Sequence, residues 1–331
     1  MQGDGMRRFT QALTGALWLL GCTCGTSAVA IAADAYPVRP LRIVTGFPPG
    51  GNTDIIARAM AQKLTERVRQ QVIVENRPGA GSMTGTDYVA KATPDGYTLL
   101  LVSGAVTTQA AVMKKLPFDA TRDFAYISNA VSYPFAIIVK PDAPMHTVND
   151  LIAVAKKAPG KLNYASVGIG SVLHLAAELF NAHAATDMTH IPYKGGAEPM
   201  LELVSGRIDL VFETLTSAFP HVQAGRIRAL AVTSLERSQQ LPNLPTVAQS
   251  LPGYEVTSFS GFAAPRGTPP ARIARLNRDM RAALEHADIR KRFTDLGGTV
   301  TPTTPDEFAR HVTSEIAKWK KIAAAKKIEI N

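Results

Sequence analysis

The chain has 331 residues, of which 46% are hydrophobic and 19% charged, and carries a formal charge of +9 at neutral pH. That supplies apolar material for two domains of ordinary size, while a mean hydropathy of +0.01 with one concentrated apolar run excludes a multi-span membrane protein. The Lys and Arg residues are scattered singly, without a basic stripe or interleaved aromatics, which argues against a nucleic-acid partner and leaves a solvated basic face with a modest attraction for anions.

Residues 1–32 read as a signal peptide. Arg7 and Arg8 form a short basic region, an apolar run follows from Ala12 to Cys22, and Ala30-Ile31-Ala32 fits the small-x-small cleavage rule. The run is far shorter than the roughly 20 residues a spanning helix needs. Leu19-Leu20-Gly21-Cys22 offers an alternative, a lipobox with Cys22 lipidated, although Leu20 fits poorly before Gly21. Both cysteines, Cys22 and Cys24, fall in this leader, and its removal takes away Arg7, Arg8 and Asp4, leaving a mature charge of +8. Without a thiol, the mature chain can form no disulfide, zinc-thiolate site or cysteine nucleophile.

From Tyr36 the pattern alternates. Strands are expected at Leu41–Thr45, Val72–Glu75, Thr98–Val102, Ala136–Val139, Leu162–Ala165, Leu210–Phe212 and Arg228–Val232. Helices are expected at Thr53–Val68, Thr84–Ala92, Val148–Lys157, Val172–Ala184 and Pro199–Ser205. Nearly continuous apolar strands between helices imply an α/β fold of parallel sheets covered on both faces. At the C-terminal end, Thr304-Pro305-Asp306-Glu307 combines a capping box with proline at the first helical position, and Phe308, Val312, Ile316, Trp319 and Ile322 form one apolar stripe. If Ala136–Val139 and Phe259–Ala264 are crossover strands, residues 36–137 with 262–331 form one lobe and residues 138–261 the other.

Two glycine loops look built for an anion. Gly46-Phe47-Pro48-Pro49-Gly50-Gly51-Asn52-Thr53-Asp54 leaves a strand and opens a helix, with Asn52 or Thr53 as N-cap. Gly50 and Gly51 let a ligand approach the backbone, and the helix start presents unpaired N–H groups with a partial positive charge. Ser166-Val167-Gly168-Ile169-Gly170-Ser171 repeats the arrangement, with Ser171 as N-cap, Ser166 as a hydroxyl donor and His174 one turn in. His174 is either a ligand contact or a support for its loop. Neither loop contains Lys or Arg, so neutral donors near Gly50–Asn52 and Gly168–Ser171, with the Ser166 and Ser171 hydroxyls, are expected to carry the contact. Asp54 would orient its loop or meet a ligand amine or hydroxyl. A charged His174 would strengthen anion binding below about pH 6.5.

Other chemistry is poorly supported. The loop Arg77-Pro78-Gly79-Ala80-Gly81-Ser82 resembles a dinucleotide fingerprint, but Thr84 stands where the third glycine belongs and Asp95 precedes the next strand instead of ending it. No Gly-x-Ser-x-Gly elbow or His-x-x-x-His pair occurs. Among the carboxylates, Glu198, Glu202 and Glu213 are conceivable as an acid/base pair, although the first two, four apart, read as a solvated helix face.

The order of these elements resembles the Bug family, extracytoplasmic solute receptors of the tripartite tricarboxylate transporter type. The resemblance runs through Tyr36-Pro-Val-Arg-Pro40, Gly46–Asp54, Glu75-Asn-Arg-Pro-Gly79, Pro94-Asp-Gly-Tyr-Thr98 and Asp150-Leu-Ile152. It continues through Pro159–Ala165, Ser166–His174, Pro192-Tyr-Lys-Gly195, Arg228–Ser234, Leu244-Pro-Thr246 and Pro252-Gly-Tyr254. One departure is Arg67-Val-Arg-Gln70, where a glycine often precedes the glutamine. The resemblance implies a type II periplasmic binding fold, two Rossmann-like lobes around a cleft, and a carboxylate ligand with no cofactor, metal or catalytic residue. The residues expected to hold it are Phe47, Gly50, Gly51, Asn52, Asp54, Ser166, Gly168, Gly170, Ser171 and His174. A periplasmic monomer that hands its ligand to membrane transporter subunits is the function implied. The alternatives are a hydrolase or lyase using the same cleft, and a partner presenting its ligand to a membrane sensor.

Overall fold

The computed structural model describes residues 36–326 and 328. The expected signal peptide and the alternative lipidation site at Cys22 lie outside these residues.

In chain order the first half contains β1 (Leu41–Thr45), α1 (Asn52–Val68), β2 (Val72–Asn76), α2 (Met83–Ala90), β3 (Thr98–Ser103), α3 (Gly104–Val112) and β4 (Phe124–Val139). Next come α4 (Val148–Lys157), β5 (Asn163–Ser166), α5 (Val172–Ala184), β6 (Thr189–Pro192), α6 (Glu198–Ser205), β7 (Leu210–Thr214), α7 (Leu215–Gln223) and β8 (Arg228–Val232). The chain ends with β9 (Thr257–Pro265), α8 (Pro270–Glu285), α9 (Ala287–Asp295), β10 (Thr299–Val300) and α10 (Pro305–Lys326).

Helices and strands alternate as the pattern requires, and the class is mixed α/β. The sheet is not wholly parallel, however. β1 pairs in parallel with β2 and β3, and β5 pairs in parallel with β6 and β7. Between these groups β9 runs antiparallel to β3, and β4 runs antiparallel to β9, β7 and β8. The sheet order is β2-β1-β3-β9-β4-β7-β5-β6.

β4 joins the two halves of the sheet. Its first part, to Pro134, pairs with β9, and its second part, from Phe135, pairs with β7. Pro134 stands at the change, where its missing N–H costs no ladder bond. A second tie lies beside it. Thr233, just past β8, donates its backbone N–H to Phe135 O and accepts at its carbonyl from Val256 N, and its hydroxyl donates to Val256 O at 2.6 Å.

Each half has its own core. On one side Val44, Leu100, Val102, Val106, Phe259, Phe308, Val312 and Ile316 cluster, and on the other Ala136, Ile138, Met200, Leu203, Val211 and Leu215. The α10 stripe packs as expected through Phe308, Val312, Ile316 and Trp319, and the Thr304–Glu307 capping box forms. Phe308 explains Gly261: a β-carbon there would lie 2.4 Å from the Phe308 ring.

Candidate functional site

Four strands, β1, β3, β5 and β7, each deliver the chain from their carboxyl ends into a helix. At β1 and β5 a glycine loop intervenes, whereas β3 and β7 run straight into α3 and α7. The N-cap residues of the four helices are Gly51, Ser103, Ser171 and Thr214, and all four line one cavity. Each helix start leaves N–H groups without intrahelical partners and contributes partial positive charge. The cavity therefore collects four such starts, two from each half of the sheet.

The space measures about 60 Å³, room for several waters or the charged end of a small acid. Its polar wall includes Asn52, Ser103, Tyr133, Ser171, Glu213, Thr214 and Ser258, and its apolar wall Phe47, Phe135, Val167, Val172 and Leu173. No Lys, Arg or His is among the lining residues. Asn52 is buried, yet neither side-chain atom has a hydrogen-bond partner among the described residues. The Tyr133 hydroxyl donates to Phe259 O at 3.1 Å and shares a hydrogen bond with Ser260 Oγ at 3.0 Å.

Of the residues expected to hold the ligand, Phe47, Gly51, Asn52 and Ser171 line the cavity. Gly50, Asp54, Ser166, Gly168, Gly170 and His174 are not among its lining residues, and Gly168 faces a separate outer groove with Ala80, Gly81, Met83, Met113 and Tyr193. The polar groups of those six are spent inside the loops. Asp54 accepts Gly50 N at 3.1 Å, Arg58 Nε at 2.9 Å and Asn76 Nδ2 at 3.0 Å, and Asn76 Nδ2 also donates to Phe47 O at 3.0 Å. Burial pushes the Asp54 carboxyl up, but the bonds from Arg58, Asn76 and Gly50 outweigh it and hold its pKa below the usual value. Asp54 thus fixes the shape of the first loop. Gly51, rather than Asn52 or Thr53, is the N-cap, which makes Asn52 the first residue of the helix.

The second loop is equally self-contained. Gly168 N donates to Ser166 Oγ at 3.1 Å, Gly170 N to His174 Nδ1 at 3.3 Å and Ser171 N to Gly168 O at 3.2 Å. Of the amides expected at Gly168–Ser171, those of Gly168, Gly170 and Ser171 are thus occupied. The helix start itself, at Val172 and Leu173, reaches the cavity instead. Ser171 Oγ accepts His174 N at 3.3 Å, which leaves its proton free to donate inward.

His174 supports the loop. Its ring stacks on His190 at 3.9 Å between centroids, and His190 Nε2 lies 2.6 Å from Ser166 Oγ. Burial pushes the His174 pKa down to about 4, and burial with the adjacent His174 takes His190 to about 3. Both rings are neutral near pH 7, so the expected strengthening of anion binding by charged His174 below pH 6.5 is corrected.

Loops from opposite halves close over the cavity. A β-carbon on Gly196, between β6 and α6, would lie 2.8 Å from Pro49 O, and one on Gly51 would lie 3.2 Å from Gly196 Cα. Thr108 Oγ1 of α3 donates to Gly170 O at 2.6 Å. The loop that resembled a dinucleotide fingerprint also serves this closure: Gln109 Nε2 holds Gly81 O at 2.7 Å, and Gly81 abuts Gly168.

The sequence reading missed the α3 and α7 starts, and with them Ser103, Gly104 and Thr214 as liners. It noted Glu213 only as a possible acid/base partner of Glu198 or Glu202. Glu202 instead pairs with Arg207, while Glu213 enters the cavity wall without either of them. Among the described residues no cluster of His, Cys, Asp or Glu is placed to hold a metal ion.

Residues 56–328 match the tripartite tricarboxylate transporter family receptor. The chain belongs to that family. It is a solute-binding receptor, not an enzyme. It is 34% identical to protein BugT of Bordetella pertussis over 312 residues, covering 93% of this chain and 96% of BugT. Among solved structures, Rpa4515 of R. palustris with adipate is 34% identical with a TM-score of 0.86, covering 89% of this chain and 99% of that one. MatC from Rhodopseudomonas palustris with bound malate is 30% identical with a TM-score of 0.83, covering 87% and 99%.

Proposed function

We propose that this receptor is exported to the periplasm by residues 1–32 and there binds a small carboxylate as a monomer. The carboxylate is held by helix-start N–H groups around Gly51–Thr53, Gly104–Ala105 and Val172–Leu173, with the Asn52 amide and the Ser171 hydroxyl. The observation that carries this reading is the convergence of four helix starts on one cavity with no Lys, Arg or His in its wall. Fixed N–H groups recognise an anion without a cationic side chain. The adipate and malate bound by two relatives support the same ligand class.

Residues 36–137 with 262–331 and residues 138–261 act as two lobes, hinged where β4 passes Pro134 and where Thr233 meets Val256. Ligand shifts an open–closed equilibrium toward the closed form. The closed receptor then delivers its ligand to membrane transporter subunits, a partnership supported by the family to which the chain belongs.

A melting-temperature screen of the mature protein against dicarboxylates, tricarboxylates, acidic amino acids and aromatic acids tests the ligand class. A true ligand at 100 times its Kd adds about 2.7 kcal/mol, a rise on the order of 5 °C or more. A flat response across all four classes would defeat the proposal.

A further inference from the structure

Glu213 is out of character with the rest of the cavity. The other polar groups in the wall are helix-start amides, neutral amides and hydroxyls, whereas Glu213 brings a carboxyl group that is 6% exposed. All its hydrogen bonds fall on one oxygen. Oε1 accepts Thr214 N at 2.7 Å, Ser217 Oγ at 2.8 Å and Thr214 Oγ1 at 3.0 Å. Among the described residues Oε2 has no donor. Capping α7 requires Oε1 alone and leaves Oε2 unexplained.

Oε2 opens on the cavity that Glu213 lines, where a ligand that displaced water without donating a hydrogen bond would leave it unpaired, and an anionic group placed against it would be repelled. No cation in the wall offsets that repulsion, and Tyr133 is the one other titratable side chain among the lining residues. A hydrogen-bond donor on the ligand removes the difficulty. On the reading that this cavity binds a carboxylate, we infer that Glu213 Oε2 accepts a hydrogen bond from a hydroxyl or ammonium group on the ligand. The receptor thereby selects a hydroxy- or amino-substituted acid over the unsubstituted acid of the same length. Burial outweighs the bonds from Ser217 and Thr214 and holds the Glu213 pKa above the usual carboxylate value; a ligand donor acts against that rise.

Glu213→Gln separates capping from recognition. The glutamine carbonyl can still accept from Thr214 and Ser217, while its NH₂ group replaces Oε2, turning an acceptor into a donor. Calorimetry with malate, aspartate and succinate, and with 2-hydroxyadipate, 2-aminoadipate and adipate, tests each skeleton with and without the donor. The parent should bind the better substituted acid of one skeleton about 10- to 100-fold more tightly than its plain counterpart. Whether the hydroxyl or the amino compound leads identifies the donor. Glu213→Gln, with its unliganded melting temperature confirming the fold, should erase or reverse that ratio. A ratio near one in the parent, or one unchanged in Glu213→Gln, overturns the inference while leaving carboxylate binding intact. Uptake of a proton with succinate at an affinity equal to malate's also overturns it, because Glu213 would then be the donor. If no acid of either length binds, the carboxylate reading itself has failed.

Discussion

Gly168 and Gly81, from opposite halves of the sheet, meet with no space for a side chain between them. A β-carbon on Gly168 would lie 3.0 Å from Gly81 Cα, and the Gly168 φ of +123° is one that L side chains rarely adopt. Thr108 and Gln109 of α3 pin the same seam through Gly170 O and Gly81 O. These contacts join the two halves of the sheet without involving a ligand, and on the proposed two-lobe reading they help to hold the closed form.

Gly168→Ala should accordingly obstruct closing. Gly225→Ala controls for backbone strain, since Gly225 also has a positive φ, of +66°, but nothing stands within 4 Å of its would-be β-carbon. Both variants should lose about 1 kcal/mol of stability from strain. Only Gly168→Ala should also lose at least about tenfold in ligand affinity, and small-angle scattering should show it failing to compact with ligand. Equal affinities in the two variants would remove Gly168 from the closing seam.

Asn52 and Ser171 should behave in opposite ways when no ligand is present. Ser171 caps α5 through His174 N, so Ser171→Ala should cost about 0.5–2 kcal/mol of stability. Asn52 has no hydrogen-bond partner among the described residues, and Asn52→Ala should leave the unliganded melting temperature unchanged or raise it. Both should weaken carboxylate binding by about 1.5–3 kcal/mol, the value of a hydrogen bond to a charged group. Calorimetry and thermal melts on the same samples distinguish the two patterns.

Asp54→Asn probes the loop rather than the ligand. It removes the charge that pairs with Arg58 at 2.9 Å and the acceptor for Gly50 N, so thermal stability near pH 7 should fall. The folded pKa of Asp54 is depressed, which means its contribution is present above its unfolded value and is lost as pH falls through the folded one. The difference in melting temperature between parent and variant should therefore shrink in acid. A difference that persists unchanged below about pH 3 would show that the charge is not its source.

The histidine stack sets a second acid dependence. With folded pKa values of about 4 for His174 and about 3 for His190, both rings bind protons more readily in the unfolded chain. The stability this represents is complete above about pH 6.5 and is lost as pH falls toward 4 and then 3. His174→Gln should flatten that fall, measured by urea unfolding at steps between pH 7 and 4. Ligand affinity should be nearly level from about pH 6 to 9, provided the acid stays ionised. A rise in affinity below pH 6.5 that His174→Gln abolishes would return this residue to the binding surface.

The parts of the site marked by glycine could be read in the sequence. Gly50-Gly51 and Gly168-Ile169-Gly170 announce loops before helices, and those helices reach the cavity. The α7 start carries no such punctuation and the α3 start only the single Gly104, with no loop before either helix, because Ser103 and Thr214 end a strand and cap a helix at once. The first six residues of α3, Gly104 to Gln109, are all buried, so no amphipathic stripe betrays the helix. The apolar pattern located Ala136–Val139 but not the earlier part of β4, where Ser128, Asn129 and Ser132 interrupt the run and bond to each other and to Thr301 and Thr303. The polar role of Asp54 and His174 within the loops depends on Arg58, Asn76 and His190, which the chain brings near only when folded.

In the proposed function, helix-start amides, not cationic side chains, hold the ligand. Amide NMR of the mature protein during titration with the tightest-binding carboxylate from the melting screen tests it most directly. Large shifts at Asn52, Thr53, Ala105, Val172 and Leu173, the helix starts lining the cavity, are the expected result. Shifts confined to the outer groove around Met83, Met113 and Tyr193, with those five amides unmoved, would contradict it.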